Sequence, residues 1–413
     1  MSSTTRVITG LVLGACVGLA LAYWNAQHAA AVAAFVQPVG KLWLNALQMT
    51  VVPLVAALVV LGVNNASDAA ASGRIARGAL LVFVILLLAA TSFAAIVAPH
   101  LLALLPRDEA TLAAFRSTLA PVAAPSGGTG LAQALIAIIP SNAINAAASS
   151  AMLPLVTFAL FFGFALTRIE SERRARMLDL VQTIADTMIV IVRWVLLVAP
   201  LGVFALVLAV CAQVGAGVVG ALLGYIAMLC TLYASVTVML YLVARIFAGE
   251  KLRRFASAIL PAQVVAFSTS SSLASLPAML ESARVRLGYP LEVSSLVLPM
   301  AVSLFRITSP IQYIGVSSFV AWLYGIDIPA AHIAVAVVLA VVMSMGSVGL
   351  PGQVSFMATN LPVVHSLGLP LEPLGILLSV DTLPDVLCTV GNVTGDLTAT
   401  GIVAKRNPSS GAG

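Results

Sequence analysis

The stretch TLPDVLCTVGNVTGDLTAT, residues 382–400, decides the fold, because it places polar side chains at regular intervals along a sequence of apolar and small residues. The intervals are four, three and four residues, and one more step of four precedes them. Residues at this spacing lie on one face of a helix. The predicted helical stripe consists of Asp381, Asp385, Thr389 with its neighbour Cys388, Asn392 and Asp396.

The composition shows which solvent surrounds this helix. Hydrophobic residues make up 61% of the 413 residues and charged residues only 8%. Soluble domains carry about 25% charged residues, so we exclude a water-soluble protein and predict one that is integral to a membrane. An ionisable side chain at the bilayer centre costs about 2.5–3.5 kcal/mol, so the stripe is expected to line a cavity or a bundle interior. A structural polar seam between helices is the alternative, although three carboxylates exceed what a seam needs.

Apolar stretches of about 20 residues can cross a bilayer as helices. The stretches that reach or approach this length are 7–26, 42–63, 79–104, 150–167, 182–211, 215–247, 292–324 and 374–404. Residues 256–280 and 333–363 are also apolar but are interrupted by Ser, Thr, Gly or Pro, and the apolar stretch 131–147 is short. The predicted fold class is an all-α integral membrane protein with eight transmembrane helices and two re-entrant helical hairpins.

The basic residues predict the orientation. Of the 20 Lys and Arg residues, fifteen fall in loops on one side of the predicted spans, and Lys41, Arg107 and Arg116 fall on the other. Cytoplasmic loops carry the excess of Lys and Arg, so both termini are predicted to be cytoplasmic in a bacterial-type inner membrane. This distribution is a topology signal and predicts no nucleic-acid partner. The four cysteines are irregularly spaced and predict neither a disulfide framework nor a zinc site.

The two interruptions are themselves polar or rich in glycine. FSTSSSLASLP, residues 267–277, carries six hydroxyl side chains, and GSVGLPGQ, residues 346–353, lets a ligand approach the backbone closely. Irregular backbone at membrane depth is tolerated where it lines water or is buried in protein. Two such segments facing each other indicate the binding site of a transporter. A membrane hydrolase is the competing interpretation of the serines, but no GxSxG motif surrounds them.

These motifs carry a resemblance to a known family. Residues 380–405, VDTLPDVLCTVGNVTGDLTATGIVAK, resemble the last helix of the dicarboxylate/amino acid:cation symporters of the glutamate transporter type. TSSSLASLP and GSVGLPG resemble the tips of that family's two hairpins. The resemblance implies a homotrimer in which a transport domain moves across the membrane like a lift against a scaffold. The implied division is 1–78 scaffold, 79–106 first transport-domain helix, 107–130 external loop, 131–247 mainly scaffold, 248–406 transport core and 407–413 disordered tail.

The resemblance also implies roles for individual residues. Asp385 matches the residue that holds the substrate amino group, and Asn392 with hairpin serines matches those that hold its carboxylate. The implied substrate-binding set is Ser270, Ser271, Ser272, Ser309, Gly349, Asp385, Cys388, Thr389 and Asn392. The candidate cation-coupling residues are Thr91, Ser92, Arg306, Asp381 and Asp396, with Asp396 and Asn392 as the candidate ligands of a sodium ion.

Two departures from the family pattern matter. Members with acidic substrates carry an arginine at the position of Cys388, where its planar fork grips a carboxylate. In the seventh span, Phe305-Arg306-Ile307-Thr308-Ser309 replaces the signature Asn-Met-Asp-Gly-Thr, so a sodium-binding amide and carboxylate are lost and a fixed cation is gained. An unpaired buried charge is costly, so we expect Arg306 to pair with Asp396 or to reach the substrate. Protons are therefore favoured over sodium as the coupling ion.

The sequence thus predicts a secondary active carrier for a small amino acid or a dicarboxylate, with a small-molecule substrate, membrane lipid around it and no cofactor. A channel would need a continuous polar pore, and a pump would need a nucleotide motif such as GxxxxGK[ST]. An enzyme is not predicted. A transport-inactive or exchange-only relative that acts as a substrate-binding receptor or scaffold is the alternative, because the sodium signature is lost.

Overall fold

The computed structural model describes residues 3–407 apart from 72, 106–138, 150, 216 and 347–351, and the regular secondary structure of these residues is helical. The predicted all-α class is therefore confirmed for the described residues. The helices are α1 Ser3–Trp24, α2 Ala26–Gln48, α3 Val51–Ala71, α4 Arg74–Ala103, α5 Ala143–Ala148, α6 Met152–Leu166, α7 Ser171–Leu197, α8 Ala199–Val214, α9 Gly217–Val243, α10 Leu252–Thr269, α11 Ser272–Glu281, α12 Leu291–Leu304, α13 Ser309–Tyr324, α14 Ala330–Gly346, α15 Gly352–Ser366, α16 Pro373–Val380 and α17 Thr382–Arg406. Short π-helical turns, Ala244–Ala248 and Ser282–Arg286, follow α9 and α11.

Several of these helices are long and apolar enough to cross a membrane. In the described part of the chain, six helical stretches meet that test, and two of them join consecutive helices: His28–Ala71 joins α2 and α3, and Leu291–Tyr324 joins α12 and α13. The other four are Arg74–Ala103, Ser171–Leu197, Gly217–Ala248 and Thr382–Arg406. Shorter apolar helices cover Thr9–Trp24, Pro154–Leu166, Ala199–Gln213 and Ala330–Gly346. The chain is thus a multi-pass membrane protein by length and composition, while the number of eight full spans stays a prediction.

The second predicted span differs from the structure. Helix α2 begins at Ala26, well before the predicted start at 42, and α3 begins at Val51 within that span. Lys41 therefore lies inside α2 and not in a loop. The reason is the alanine-rich sequence AQHAAAVAAF at the start of α2, because alanine has the highest helix propensity even where the mean hydropathy is modest.

Three other predicted spans contain breaks. The predicted helix 292–324 is interrupted between α12 and α13, where residues 305–308 leave the helical path before Pro310. The span 182–211 breaks at Val198, just before Pro200, and the span 374–404 breaks at Asp381. Proline fits the first turn of a helix but not its interior, which explains the first two positions.

Helix α17 lies at the centre of the structure. It contacts α4, α9, α10, α11, α12 and α16, and 83% of its most apolar window is buried. Its glycines allow this close packing: a Cβ atom on Gly391 would lie 2.6 Å from Cγ2 of Thr308, in the break between α12 and α13. The stripe predicted from the sequence therefore faces protein.

Helices α10 and α11 form the first predicted hairpin. They pack against each other, and Nη2 of Arg254, at the start of α10, donates a hydrogen bond to O of Leu287 at 2.9 Å, beyond the end of α11. The two arms therefore run antiparallel with the tip at residues 270–271. Helices α14 and α15 pack together as the arms of the second hairpin. Its tip, 347–351, lies outside the described residues.

The second hairpin meets α3 at a point of close backbone approach. A Cβ atom on Gly62 of α3 would lie 2.8 Å from Cα of Gly346, at the end of α14. Helix α3 belongs to the predicted scaffold and α14 to the predicted transport core. That division and the elevator arrangement stay predictions, as do the loop 107–130, whose residues lie outside the described part, and the tail, of which only Asn407 is described.

Candidate substrate and cation site

The break between α12 and α13 is hydrogen-bonded to the stripe on α17 through Thr308. Oδ1 of Asn392 accepts two hydrogen bonds from Thr308, from the backbone N–H at 3.0 Å and from Oγ1 at 2.9 Å. Both residues are almost completely buried. Because the carbonyl end of the Asn392 amide is committed to Thr308, its NH₂ end is the one available to a ligand.

Cys388 is tied to the same threonine. Its Sγ atom lies 2.9 Å from Oγ1 of Thr308, and the Cys388 backbone carbonyl lies 3.1 Å from the same hydroxyl. Nδ2 of Asn392 is 3.8 Å from the Cys388 sulfur, a weak contact. The small thiol thus packs against Thr308 and offers no charge to a substrate.

Asp385 and Thr389 lie one helical turn apart on α17. The Thr389 hydroxyl donates to the backbone carbonyl of Asp385 at 2.9 Å, so this hydroxyl is already used within the helix. Asp385 is half-buried. Among the described residues, its carboxylate has no basic partner within 4.0 Å, which leaves a carboxylate that can receive a cationic ligand group.

Arg306 lies in the break beside this cluster. It is half-buried and close enough to Asp385, Cys388 and Asp396 to interact electrostatically with each. No carboxylate of the described residues lies within 4.0 Å of its guanidinium, so the expected ion pair with Asp396 is wrong. Sequence spacing placed the two residues in one cluster but could not fix the distance between them. The second expectation, that Arg306 reaches the substrate, stays a prediction.

Asp396 is the most isolated polar group of the stripe. It is 1% exposed, and neither carboxylate oxygen has a hydrogen-bond partner in the described part of the chain. A buried carboxylate in this state needs a bound cation or a proton. The Asn392 carbonyl accepts from Thr308, and the fixed charge of Arg306 lies within electrostatic reach of Asp396.

The tip of the first hairpin presents hydroxyl groups and a helix start. Ser270 adopts the left-handed conformation with φ 48°, a strained state for a residue with a side chain. Oγ of Ser271 accepts a hydrogen bond from Ala274 N at 3.2 Å and thereby caps α11. Ser271 and Ser272 are half-buried, and Ser270 is exposed. The first N–H groups of a helix attract anions, and the predicted binding role of these serines stays a prediction.

The other predicted site residues are Ser309, Thr91, Ser92 and Gly349. Ser309 is buried in the first turn of α13, directly after Thr308. Thr91 is buried in α4 and donates to Leu87 O within its own helix at 2.6 Å, while Ser92 is exposed. Among the described residues, no hydrogen bond joins Thr91 or Ser92 to the stripe. Gly349 lies outside the described residues.

The last member of the stripe has a partner that sequence reasoning missed. Oδ1 of Asp381 accepts a hydrogen bond from Nε2 of Gln312 at 2.7 Å, and both residues are buried. Thr308 and Asn360 were missed as well. The available signal was polarity: Gln312 and Asn360 each interrupt an apolar helix, as the stripe residues do.

The chain is similar to known proteins over nearly its whole length. Residues 4–406 match the sodium:dicarboxylate symporter family. The proton/glutamate-aspartate symporter of Escherichia coli strain K12 is 28% identical over 407 residues, which cover 97% of this chain and 92% of the relative. The neutral amino acid transporter B(0) of Oryctolagus cuniculus is 29% identical over 440 residues, covering 97% and 79%. The C4-dicarboxylate transport protein of Rhodopseudomonas palustris strain BisB5 is 27% identical over 403 residues, covering 97% and 87%.

The match confirms the resemblance stated from the sequence motifs. It extends over nearly the whole chain, including the stripe on α17, both hairpins and the break between α12 and α13. It makes the chain a transporter and not an enzyme. The chain belongs to the sodium:dicarboxylate symporter family.

Proposed function

We propose that the protein is a secondary active symporter that moves a small amino acid or a dicarboxylate across the inner membrane by an elevator-type alternating-access mechanism. Both termini lie in the cytoplasm and the assembly is a homotrimer in this proposal. The names of the relatives include acidic amino acids, neutral amino acids and C4-dicarboxylates, so the choice among them rests on the site itself.

The observation that supports the proposal most strongly is that Asp385 and Asn392 lie on one face of α17. The Asp385 carboxylate has no basic partner among the described residues, and the Asn392 amide has a fixed orientation. Asp385 can receive an ammonium group, and the NH₂ end of Asn392 can donate to a carboxylate. Seven residues along a helix rise about 10.5 Å. An α-amino acid with a hydrogen bond of about 2.9 Å at each end spans roughly 9 Å, so one such molecule bridges the two side chains.

The first hairpin supplies the other side of the substrate carboxylate. Ser271 and Ser272 lie at the start of α11, where backbone N–H groups and a hydroxyl are available to an anion. Hairpin α10–α11 and α17 are in contact, which supports a shared pocket. Closing and opening of the two hairpins then gives access from alternate sides of the membrane.

The side-chain end of the pocket favours a small neutral amino acid. Cys388 and Thr308 are hydrogen-bonded to each other and bring no charge, so a second carboxylate would be desolvated there without a bidentate partner. Arg306 supports the second candidate, an acidic amino acid or dicarboxylate. Its guanidinium forms no ion pair among the described residues and lies near Cys388.

A proton is the proposed coupling ion. Asp396 and Asp381 are buried carboxylates, and neither has a basic partner within 4.0 Å in the described part of the chain. A proton neutralises either one without needing several oxygen ligands, whereas sodium binding requires such a set. The guanidinium of Arg306 is a fixed cation within electrostatic reach of Asp396.

Uptake into proteoliposomes tests the proposal. Radiolabelled L-alanine, L-aspartate and succinate are offered to vesicles that contain the purified carrier, with an inward proton gradient, and empty vesicles serve as the control. We expect concentrative uptake of L-alanine above that of the other two. Preferred uptake of L-aspartate or succinate would assign the second carboxylate to Arg306. Binding without uptake of any of the three would favour the receptor or scaffold and would contradict the symporter.

A further inference from the structure

Asp381, Gln312 and Asn360 form a continuous buried polar cluster that connects three separate elements, and we call it the amide relay. Asp381 lies at the junction of α16 and α17, Gln312 lies in the first turns of α13, and Asn360 lies in α15, the second arm of the second hairpin. All three are at most 8% exposed. The relay therefore joins a carboxylate of the stripe to a hairpin that is expected to gate the site.

The two hydrogen bonds of the relay differ in quality. Nε2 of Gln312 donates to Oδ1 of Asp381 at 2.7 Å, a short bond to a carboxylate. Nδ2 of Asn360 lies 3.5 Å from Oε1 of Gln312, at the limit of a hydrogen bond. Nδ2 of Asn360 also donates to Phe356 O at 2.9 Å within its helix. The connection from Gln312 to the hairpin arm is thus weak in this state.

One atom of Asn360 lacks a hydrogen-bond partner in the described part of the chain, which indicates that the relay has a second state. Its Oδ1 atom is completely buried and accepts no hydrogen bond from the described residues. A buried acceptor without a donor costs about 1–3 kcal/mol and calls for a compensating state or ligand.

The titratable groups near Asp381 lie on α17 and α9. Asp385 and Cys388 on α17 and Tyr225 and Tyr233 on α9 are close enough to interact with it electrostatically. The hydroxyls of Tyr225 and Tyr233 are buried and donate to no acceptor among the described residues. In the described part of the chain, no basic residue lies within 4.0 Å of Asp381. Gln312 is then the group that responds when Asp381 gains a proton.

We propose that the amide relay responds to protonation of Asp381 by changing the hydrogen bonds that join it to the second hairpin. An ionised carboxylate only accepts, so it holds the NH₂ end of Gln312 and leaves the carbonyl end toward Asn360. A protonated carboxyl donates its O–H to the Gln312 carbonyl, and the amide turns round. The NH₂ group then faces Asn360, whose amide turns as well, because its Nδ2 end is the one that faces Gln312 in this structure. Oδ1 of Asn360 then accepts from Gln312, and Nδ2 gives up its hydrogen bond to Phe356 O. Protonation thereby exchanges a hydrogen bond within α15 for one between α15 and α13.

This inference rests on the proposed proton coupling and adds the path by which the proton acts on a hairpin. It assigns Gln312 and Asn360 as positioning residues, because they act through Asp381 and the hairpin and not on the substrate. Its test uses no substrate, so its failure is separate from failure of the transport assay.

Hydrogen exchange of the intact purified carrier in lipid nanodiscs tests the relay. The amides of α15 are followed at acid and at alkaline pH, and the rates are corrected for the chemical pH dependence of exchange. A gained hydrogen bond of about 1 kcal/mol slows exchange about fivefold. We therefore expect the corrected exchange of α15 to be about fivefold slower at acid pH in the parent protein.

Three variants separate the relay from a general effect of pH. Asp381→Asn can donate and accept at any pH, so its α15 should show the protected rate at both pH values. Gln312→Leu should show the faster rate at both. Thr359→Val is the matched control, because Thr359 is a buried polar neighbour of Asn360 that donates only within α15, to Ser355 O. It should keep the pH response of the parent.

Two outcomes overturn the proposal. One is an equal corrected exchange rate of α15 at both pH values in the parent. The other is a pH response that survives in Asp381→Asn or Gln312→Leu, provided that thermal unfolding shows each variant to be folded. The first result comes from the parent protein alone. It can therefore refute the proposal even if a variant fails to fold.

Discussion

The hydroxyl of Thr308 donates a hydrogen bond of 2.9 Å to Oδ1 of Asn392, across the break between α12 and α13. The backbone N–H of Thr308 donates to the same atom at 3.0 Å. The side chain of one residue in an interrupted helix therefore fixes which end of a central amide is offered to a ligand. The Asn392 amide therefore presents its NH₂ group, and not its carbonyl oxygen, to a ligand.

Removal of that hydroxyl should weaken substrate binding. In Thr308→Val, the Asn392 carbonyl loses one of two donors and the amide is free to turn, so we expect the apparent KM for the transported substrate to rise about tenfold. The maximal rate should change less than KM. Thr308→Ser keeps the hydroxyl and is the matched control. Equal KM values for the valine and serine variants would show that Thr308 does not orient the amide.

Asp385→Asn should strongly reduce uptake of an amino acid. A bound ammonium group would lose its charged partner, and charged hydrogen bonds contribute about 1.5–3 kcal/mol, so affinity should fall roughly ten- to hundredfold. Uptake of L-alanine and of succinate is compared in the parent and the variant. If the variant transports an acid without an amino group as well as the parent does, the substrate is a dicarboxylate and the amino-acid assignment fails.

Cys388 should be protected from alkylation by substrate. Its thiol is 3% exposed and hydrogen-bonded to Thr308, so reagent reaches it when the pocket opens. The rate of reaction with N-ethylmaleimide is measured in a variant whose other cysteines, Cys16, Cys211 and Cys230, are replaced by serine. L-Alanine should slow the reaction at least severalfold, and the added variant Cys388→Ser should not react. Slowing by L-aspartate but not by L-alanine would point to Arg306 as a substrate ligand.

A larger residue at Gly62 should slow transport without weakening binding. A Cβ atom there would lie 2.8 Å from Cα of Gly346, which is too close for any residue with a side chain. Gly62→Val should therefore disturb the contact between α3 and the second hairpin, and overpacking of this kind costs about 1–3 kcal/mol. We expect a lower maximal uptake rate with an unchanged KM. Gly78→Val, where a Cβ meets nothing within 4 Å, is the control. Wild-type rates in Gly62→Val would argue against movement at this contact.

Much of the architecture follows from the sequence because its signals are local. The steps of four and three residues from Asp385 to Asp396 identify the buried face of α17, and the serine run from Ser270 identifies the hairpin tip. The start of α2 at Ala26 was missed, because hydropathy alone undervalues the helix propensity of alanine.

The finer parts of the site depend on distances between elements that are far apart in sequence. Thr308 meets Asn392 across 84 residues, and Gln312 meets Asp381 across 69. Nothing in the local pattern specifies these pairs. The expected ion pair between Arg306 and Asp396 was wrong for the same reason, since a shared cluster does not fix a contact distance.

The most direct test of the central claim, that a fixed Arg306 and buried carboxylates make this carrier proton-coupled, is substrate uptake in sodium-free medium with and without an inward proton gradient. We predict that the parent concentrates substrate with the proton gradient alone and that added sodium changes the rate little. Arg306→Met, which keeps an unbranched apolar stem but removes the charge, should reduce this proton-driven uptake. A steep and saturable sodium requirement in the parent, with no response to the proton gradient, would contradict the account.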